Sequence, residues 1–176
     1  ADGASAAITL SPGGRFEFVN HNFFDGMTLR MYGCDRVNRA FEFDGTTFVP
    51  LPTGMAPDTP RHIIAHRGHL FLSFGSSVQH SGILNPYAWS PLLGAAEIGM
   101  GDMVTAFSLL PGSEQRSALA IFTRQRTDVL YGNSAADWQR IPYRDGLGAY
   151  AYTVQDVGLT TMFLDDRGIT DLHTTA

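Results

Sequence analysis

The chain has 176 residues, enough for one domain with a substantial core but too few for two large ones. Charged residues make up only 16% of it, against a usual share of about 25%, which predicts that much of its surface faces other protein. The net charge is −5 and all twelve cationic residues are arginine, without a basic tract, which argues against nucleic acid as the main partner because phosphate binding requires clustered cations.

The single cysteine and the N-terminus bear on the cellular context. Cys34 has no partner for an intrachain disulfide, and we expect it to be a small buried hydrophobic residue of a strand. No apolar run approaches the roughly 20 residues that a membrane span requires. The N-terminus lacks both the pattern of a signal peptide and an initiator methionine, so we expect a processed product or an excerpt of a longer chain.

The first third of the chain has the pattern of short β-strands. FEFVN at 16–20, AFEF at 40–43 and TFVPL at 47–51 are rich in aromatic and β-branched residues and are bounded by Gly, Asn, Asp and Pro. Asp44-Gly45 lies between the last two segments and predicts a hairpin, because both residues tolerate a positive φ. The same pattern continues along the chain and predicts an all-β protein.

A unit of two strands and a polar turn occurs four times. An apolar segment precedes each copy: RFEFVNH, RHIIAHRG, MVTAFSLL and YTVQDVG. Equivalent positions at Leu29, Leu70, Leu119 and Met162 are separated by 41, 49 and 43 residues. The four copies read TLRMYGCDRVNRAFEFDGTTFVPL from Thr28, HLFLSFGSSVQHSG from His69, ALAIFTRQRTDVLYGNSAADWQRIPY from Ala118 and TTMFLDDRGITDLHTT from Thr160.

A repeat of forty-odd residues with about four strands is typical of β-propeller blades. We therefore predict one β-propeller-like domain over 1–176 with about four blades of three to four antiparallel strands, the alternative being a β-sandwich. The fourth unit lacks an outer strand, which residues 6–10 supply if the ring closes within this chain. The predicted blades cover 11–55, 56–100, 101–145 and 146–176.

One insertion interrupts the repeat between Ile83 and Met103. Asn85-Pro86 predicts a turn, and Tyr87 and Trp89 add large amphipathic side chains. We predict a long loop with a short return strand near 95–98. Loops of this length on a repeat scaffold are usually functional or contact surfaces.

Residues that could carry chemistry have simpler structural explanations. His62 and His66 would share one face of a strand and His69 follows a turn, yet no cysteine or carboxylate stands nearby at the spacing of metal ligands. Asp165-Asp166-Arg167-Gly168 is typical of a turn. GAAEIGMGDM matches neither a phosphate loop nor a dinucleotide fingerprint. We therefore predict neither a metal nor a cofactor.

An enzyme is the least favoured class. Propeller-fold glycosidases use two or three separated acids. The sequence contains no compact catalytic motif that would select such a set. The available carboxylates are Glu17, Glu42, Glu97, Asp102 and Asp128.

Several segments between Arg61 and Thr175 resemble bacteriophage structural proteins. They are HRGHLFLSFGSSVQHSGILNPYAWSP, IGMGDMVTAFSLLPG, LAIFTRQRTDVLYGNSAADWQRI and GLTTMFLDDRGITDL. The likeness is to podovirus-type tail hub, nozzle or head-to-tail components, often with a β-propeller body. It implies packing roles for Trp89 and Trp138 and subunit contacts for Arg124 and Arg126. It also implies turn positions at Gly101-Asp102, Gly132 and Gly168, where a permissive backbone is needed.

The resemblance implies a non-enzymatic virion protein located in the phage tail. Its partners would be other tail or portal subunits in a homo-oligomeric ring around the DNA exit path, with no membrane and at most transient passage of DNA. A mildly acidic chain suits such a channel wall, and exchanging acidic lumen residues for arginine should slow DNA ejection. The alternatives are a carbohydrate- or receptor-binding module that stacks sugars on Tyr87, Trp89 and Trp138, and a propeller-fold glycosidase.

Overall fold

The computed structural model describes residues 9–24, 28–110, 118–158 and 160–172. In these ranges the chain forms fifteen strands in four antiparallel sheets, and no α-helix occurs among the described residues. The all-β class is therefore confirmed, and so is the prediction of about four sheets with three to four strands each. The described residues do not form a closed propeller, and a β-sandwich is also compatible with their four sheets.

The first two sheets have four strands each. The first consists of β1 (Glu17–His21), β2 (Arg30–Cys34), β3 (Phe41–Phe43) and β4 (Phe48–Pro50). The second consists of β5 (Ile63–His66), β6 (His69–Phe74), β7 (Ser77–His80) and β8 (Ala96–Gly99).

The third sheet has four strands and the fourth has three. The third consists of β9 (Val104–Leu110), β10 (Ala118–Thr123), β11 (Arg126–Tyr131) and β12 (Gln139–Asp145). The fourth consists of β13 (Gln155–Val157), β14 (Thr160–Asp165) and β15 (Gly168–Leu172).

Each sheet is a meander in which every strand pairs with the next one along the chain. The repeat seen in the sequence coincides with this order: β2, β6, β10 and β14 begin the four aligned units, and β1, β5, β9 and β13 are the apolar segments before them. The strand predicted at 6–10 lies mostly outside the described residues. Thr9 and Leu10, its described part, are not in a strand.

Local turn chemistry explains two of the hairpins. β3 and β4 form a hairpin in which Phe43 pairs with Phe48. In the turn between them, the Asp44 carboxylate accepts hydrogen bonds from the amides of Thr46 and Thr47. Gly45 has a φ of 100°, which favours glycine. The predicted turn at 165–168 joins β14 to β15 with Asp165 paired to Gly168. Positive φ angles also occur at the predicted turn glycines Gly101, Gly132 and Gly168.

The insertion after β7 contains the predicted return strand. The loop passes through a short 3-10 segment at Pro91–Leu93, and Gly94 ends it with a left-handed backbone at φ 84°. β8 then joins the edge of the second sheet next to β7, one residue later than the predicted 95–98. Gly82 is required here because a Cβ atom on it would lie 2.3 Å from the carbonyl oxygen of Leu93.

The chain divides into two compact units, Ala1–Ile98 and Gly99–Ala176. In the first unit, one face of the first sheet packs on one face of the second, and Cys34 is buried in this core, as predicted. In the second unit, the third sheet packs on the fourth, and Phe122 and Phe163 lie in that core with ring centroids 5.0 Å apart. Each core thus has the aliphatic and aromatic composition expected of sheet-on-sheet packing.

The four sheets differ in the burial of the face opposite their core. The second sheet also buries the face opposite its core, with Phe71, Val78 and His80 at 0% exposure. The third sheet likewise buries Leu119 and Ile121 on its opposite face, both at 0%. The first and fourth sheets instead leave large apolar side chains exposed on the face that points away from their core.

Candidate functional site

The most elaborate polar site of the described chain surrounds Glu42. β2 and β3 pair Tyr32 with Glu42, and the two-residue period of a strand places Arg30 on the same face. Arg30 Nη1 donates to Glu42 Oε1 at 2.6 Å, and the Tyr32 hydroxyl donates to Oε2 at 2.8 Å. Glu42 is 2% exposed and Tyr32 is fully buried, so the carboxylate is both neutralised and hydrogen-bonded.

Tyr87 approaches the same carboxylate from the insertion loop. Burial raises the pKa of Tyr87, and a hydrogen bond with Glu42 raises it further. Burial and the Glu42 hydrogen bond also raise the pKa of Tyr32. The exposed ring of Phe24 lies 6.2 Å from that of Tyr87, and the Arg30 guanidinium stacks 4.6 Å from the Phe24 centroid. Glu42 therefore accepts hydrogen bonds from neutral tyrosine hydroxyls and from one arginine. This arrangement suits a structural role rather than proton transfer.

The other four acids considered from the sequence each have a partner of their own. Glu17 Oε1 lies 2.8 Å from His62 Nδ1, and Glu97 accepts from the Ser77 hydroxyl. Asp102 accepts from the amide of Met103 at 2.7 Å. A glycosidase needs two carboxyl groups facing one bond, one of them to protonate the leaving group. These separate pairings give no such arrangement.

Asp128 is the fifth acid and lies on the third strand of its sheet, as Glu42 does. It is 1% exposed, and its carboxylate lies 3.0 Å from Arg126 Nε and 3.6 Å from Arg140 Nε. Arg126 Nη2 also donates to the carbonyl of Met100 at 2.6 Å. Arg126 and Arg140 thus neutralise a buried acid.

The histidines do not form a shared centre. His62 and His66 have different neighbours: His62 Nδ1 lies 2.8 Å from Glu17 Oε1 of the first sheet, whereas the ring of His66 lies beside that of Phe71. His69 and His80 both direct Nδ1 to the carbonyl of Ser81, at 2.6 and 2.8 Å. Among the described residues, no group of three His, Cys, Asp or Glu could hold a metal ion.

The predicted contact residues lie in different settings. Trp89 belongs to the core of the first unit at 8% exposure and donates its indole N–H to the carbonyl of Pro86, whereas Tyr87 is 39% exposed. Trp138 is partly buried after β11. Arg124 stacks 3.7 Å from the Tyr150 centroid and pairs with Asp166. The structure brings Arg124 and Arg126 to one hairpin end and places the others elsewhere.

One surface hollow of about 510 Å³ lies in the second unit beside Arg126. Its charged lining residues, Asp102 and Arg126, already bond the Met103 amide, the Asp128 carboxylate and the Met100 carbonyl. The remaining lining residues are Met100, Gly101, Thr123 and Gln125. The described residues that line the hollow therefore do not form an arrangement of acid, base or nucleophile that would catalyse a known class of reaction.

The exposed apolar faces are the feature that the sequence did not reveal. Phe16, Phe18 and Phe48 project from the first sheet, and the fourth sheet exposes its own aliphatic set, Val157, Met162, Leu164 and Ile169. In the sequence, FEF at 16–18 alternates apolar and charged residues, whereas MFL at 162–164 places apolar residues on both faces of its strand. What alternation could not show is which of the two faces another sheet covers.

No family model, no curated protein and no solved structure matches this chain. No helix among the described residues is both long and apolar enough to span a bilayer.

Proposed function

We propose that the chain is a non-enzymatic structural component of a bacteriophage virion, a tail or head-to-tail module that joins subunits around the DNA exit path. One observation carries the proposal. The five acids considered for catalysis are occupied in structural pairs, whereas large apolar side chains stand exposed on the outer faces of two sheets. Exposed apolar patches of this kind mark protein contact surfaces.

The sequence resemblance supplies the virion context of the proposal. The segments that carry the resemblance contain β6, β7, β9, nearly all of β10, β11 and two strands of the fourth sheet, so they follow the repeated architecture. The 16% charged share is also consistent with a subunit that is covered by neighbours.

The experiment is immunogold electron microscopy of particles produced by the phage that encodes the chain, with antibodies raised against the purified chain. We expect label at the tail vertex and the chain in the protein profile of purified particles. Portal and terminase genes beside its coding sequence would agree with this. Absence of the chain from purified particles would contradict the proposal.

A second candidate is a carbohydrate-binding module, which the exposed pair of Phe24 and Tyr87 beside Arg30 favours. Sugars stack on aromatic rings, and an arginine can hydrogen-bond their hydroxyls. A glycan array with the chain and with Tyr87→Ala tests it: binding that disappears in the variant supports a sugar site. A tail subunit without such a site gives no glycan signal.

A further inference from the structure

Three buried histidines share one face of the second sheet with a phenylalanine. His66 pairs with His69 across β5 and β6, and Phe71 pairs with His80 across β6 and β7. Because side chains two residues apart on a strand point the same way, all four lie on one side of the sheet. None of them is more than 4% exposed, and the ring centroids of His69 and His80 are 4.8 Å apart. The imidazoles are therefore packed together away from water.

Two of these rings bind the same backbone oxygen. His69 Nδ1 lies 2.6 Å and His80 Nδ1 2.8 Å from the carbonyl oxygen of Ser81. A carbonyl only accepts hydrogen bonds, so each neutral ring carries its proton on Nδ1, and a further proton taken up in acid goes to Nε2. The Ser81 amide also donates to the Leu70 carbonyl, and its hydroxyl accepts from the Leu70 amide. Ser81 is thus fixed to β6 and to both histidines.

The insertion loop begins directly after Ser81 and is closed on itself. The Gly82 amide donates to the Ala88 carbonyl at 2.7 Å, so the residues between them form one hydrogen-bonded turn. Tyr87 belongs to this turn, and its hydroxyl is the group that reaches Glu42. A displacement at Ser81 therefore moves the loop as a whole and takes Tyr87 with it.

A second contact holds the loop on the turn between β5 and β6. The Leu84 amide donates to the Gly68 carbonyl at 2.7 Å, and a Cβ atom at Gly68 would lie 3.1 Å from Leu84 Cδ2. Leu84 has a φ of 52°, a left-handed conformation that an apolar side chain rarely adopts. Its side chain is 58% exposed. The contact therefore keeps the loop in an unfavourable backbone conformation, and little apolar burial opposes its release.

We propose that His69 and His80 form a pH-sensitive latch, which holds the insertion loop when the rings are neutral and releases it when they are protonated. Two imidazolium ions 4.8 Å apart repel each other, and burial deprives both of the water that would stabilise their charge. Release withdraws Tyr87 from Glu42 and so dismantles the exposed pair of Phe24 and Tyr87. The latch lies within the first unit and works whatever the chain assembles with.

The charges around the histidines determine the direction of the effect. Burial lowers the pKa of His80 to about 4, and the charge of His69 lowers it too, whereas the bond to the Ser81 carbonyl raises it by less. Burial also lowers the pKa of His66 to about 4, helped by the charges of Arg67 and His69. A ring freed by the open loop titrates near 6.5. The latch is therefore closed above pH 6.5 and opens as the pH falls towards 4.

Hydrogen exchange of single amides measures the release. The Leu84 amide reports whether the loop has left the β5–β6 turn, and the Gly82 amide reports whether the loop itself stays closed. Between pH 7 and 4 we expect the protection factor of Leu84 to fall about 100-fold, as a histidine pKa change from 6.5 to about 4 permits. Gly82 should keep its protection, and the NMR signals of the Tyr87 ring should shift with the same midpoint as the exchange at Leu84.

Asparagine variants separate titration from structure, because an asparagine amide can donate from the place of Nδ1 but takes up no proton. In the double variant His69→Asn, His80→Asn, the fall in Leu84 protection should shrink to below about tenfold. His80→Asn alone should move the release to lower pH, so the test does not depend on the folding of the double variant. His21→Asn is the matched control: burial lowers the pKa of His21 as well, but it lies on β1, outside this face, and should leave the release unchanged.

Three outcomes would overturn the latch. The first is a Leu84 protection factor that stays constant from pH 7 to 4 in the parent chain. The second is equal loss of protection at Leu84 and Gly82, which means that the loop unfolds instead of moving as one piece. The third is a release that both asparagine variants leave unchanged. Circular dichroism at pH 7 confirms the folding of each variant.

Discussion

The first and third sheets each bury one carboxylate on their third strand, yet they treat it differently. Glu42 faces Tyr32 across the strand pair and accepts hydrogen bonds from Tyr32 and Arg30. Asp128 faces Ile121 across the equivalent pair, and its partners are the guanidinium groups of Arg126 and Arg140. Neither oxygen of Asp128 has a hydrogen bond of good geometry within the described chain.

The difference shows what one cross-strand neighbour does to a buried charge. A tyrosine opposite Glu42 lets the first sheet satisfy both carboxylate oxygens, whereas an isoleucine opposite Asp128 leaves neutralisation to two half-exposed arginines. A buried charge with full hydrogen bonding is stabilised more than one with charge compensation alone. The two units should therefore respond differently to the same kind of substitution.

A fall in pH should produce the largest difference in stability between the two units. The first unit contains His66 and His80, both buried, and burial lowers the pKa of each to about 4. The one histidine of the second unit is His173, outside the described residues. Because these histidines are neutral when folded and titrate near 6.5 when unfolded, they stabilise the fold above pH 6.5, and this contribution is lost as the pH falls towards 4.

The expected loss is on the order of 2–3 kcal/mol for each histidine by pH 4, since one pKa unit corresponds to about 1.4 kcal/mol. Hydrogen exchange read residue by residue should show β5 to β7 losing protection between pH 6.5 and 4 before β9 to β11. The double variant His66→Gln, His80→Gln should flatten that dependence in the first unit. Equal loss of protection in both units would contradict the expectation.

Much of the fold could be predicted from the sequence because its determinants are local. Asp44-Gly45 and the turn at 165–168 each join two strands that follow one another in the chain. A few local residues therefore determine each hairpin. The site could not be predicted in this way. Tyr87 reaches Glu42, and His62 reaches Glu17, across about forty-five residues of chain, and such distant partners depend on how the sheets pack.

A glycine of each unit offers the next comparison. A Cβ atom at Gly148 would lie 2.4 Å from the carbonyl carbon and oxygen of Arg124, which are backbone atoms that cannot move independently. At Gly33 the nearest atoms are ring atoms of Phe41, which is 3% exposed, and of Phe18, which is 54% exposed and can turn aside. We expect Gly148→Ala to cost about 3 kcal/mol and Gly33→Ala about 2 kcal/mol, because only one of the two rings can move freely.

Urea unfolding of the two variants beside the parent chain measures both costs. Gly45→Ala is a useful third variant, because nothing lies within 4 Å of its Cβ position and its cost comes from the φ of 100° alone. If Gly33→Ala proved as costly as Gly148→Ala, the rings of Phe41 and Phe18 would have to be held as rigidly as backbone.

Substitutions of the two buried carboxylates test the opening comparison directly. Glu42→Gln keeps the shape of the side chain but removes the charge that Arg30 and Tyr32 bind, so we expect it to cost about 2 kcal/mol. Asp128→Asn removes a charge without good hydrogen bonds, and Arg126 and Arg140 can turn to water at 34% and 37% exposure. We expect that change to cost less than about 1 kcal/mol.

Removing the tyrosine hydroxyl opposite Glu42 should narrow the difference in stability between the two carboxylate sites. Tyr32→Phe removes the hydroxyl that Glu42 accepts from, so Glu42→Gln should cost less in that background than in the parent chain, and this double-mutant cycle gives the coupling between the pair. The same cycle with Ile121→Val and Asp128→Asn should show no coupling, since Ile121 offers no donor. Coupling of similar size in both cycles would mean that the cross-strand hydroxyl is not what distinguishes Glu42 from Asp128.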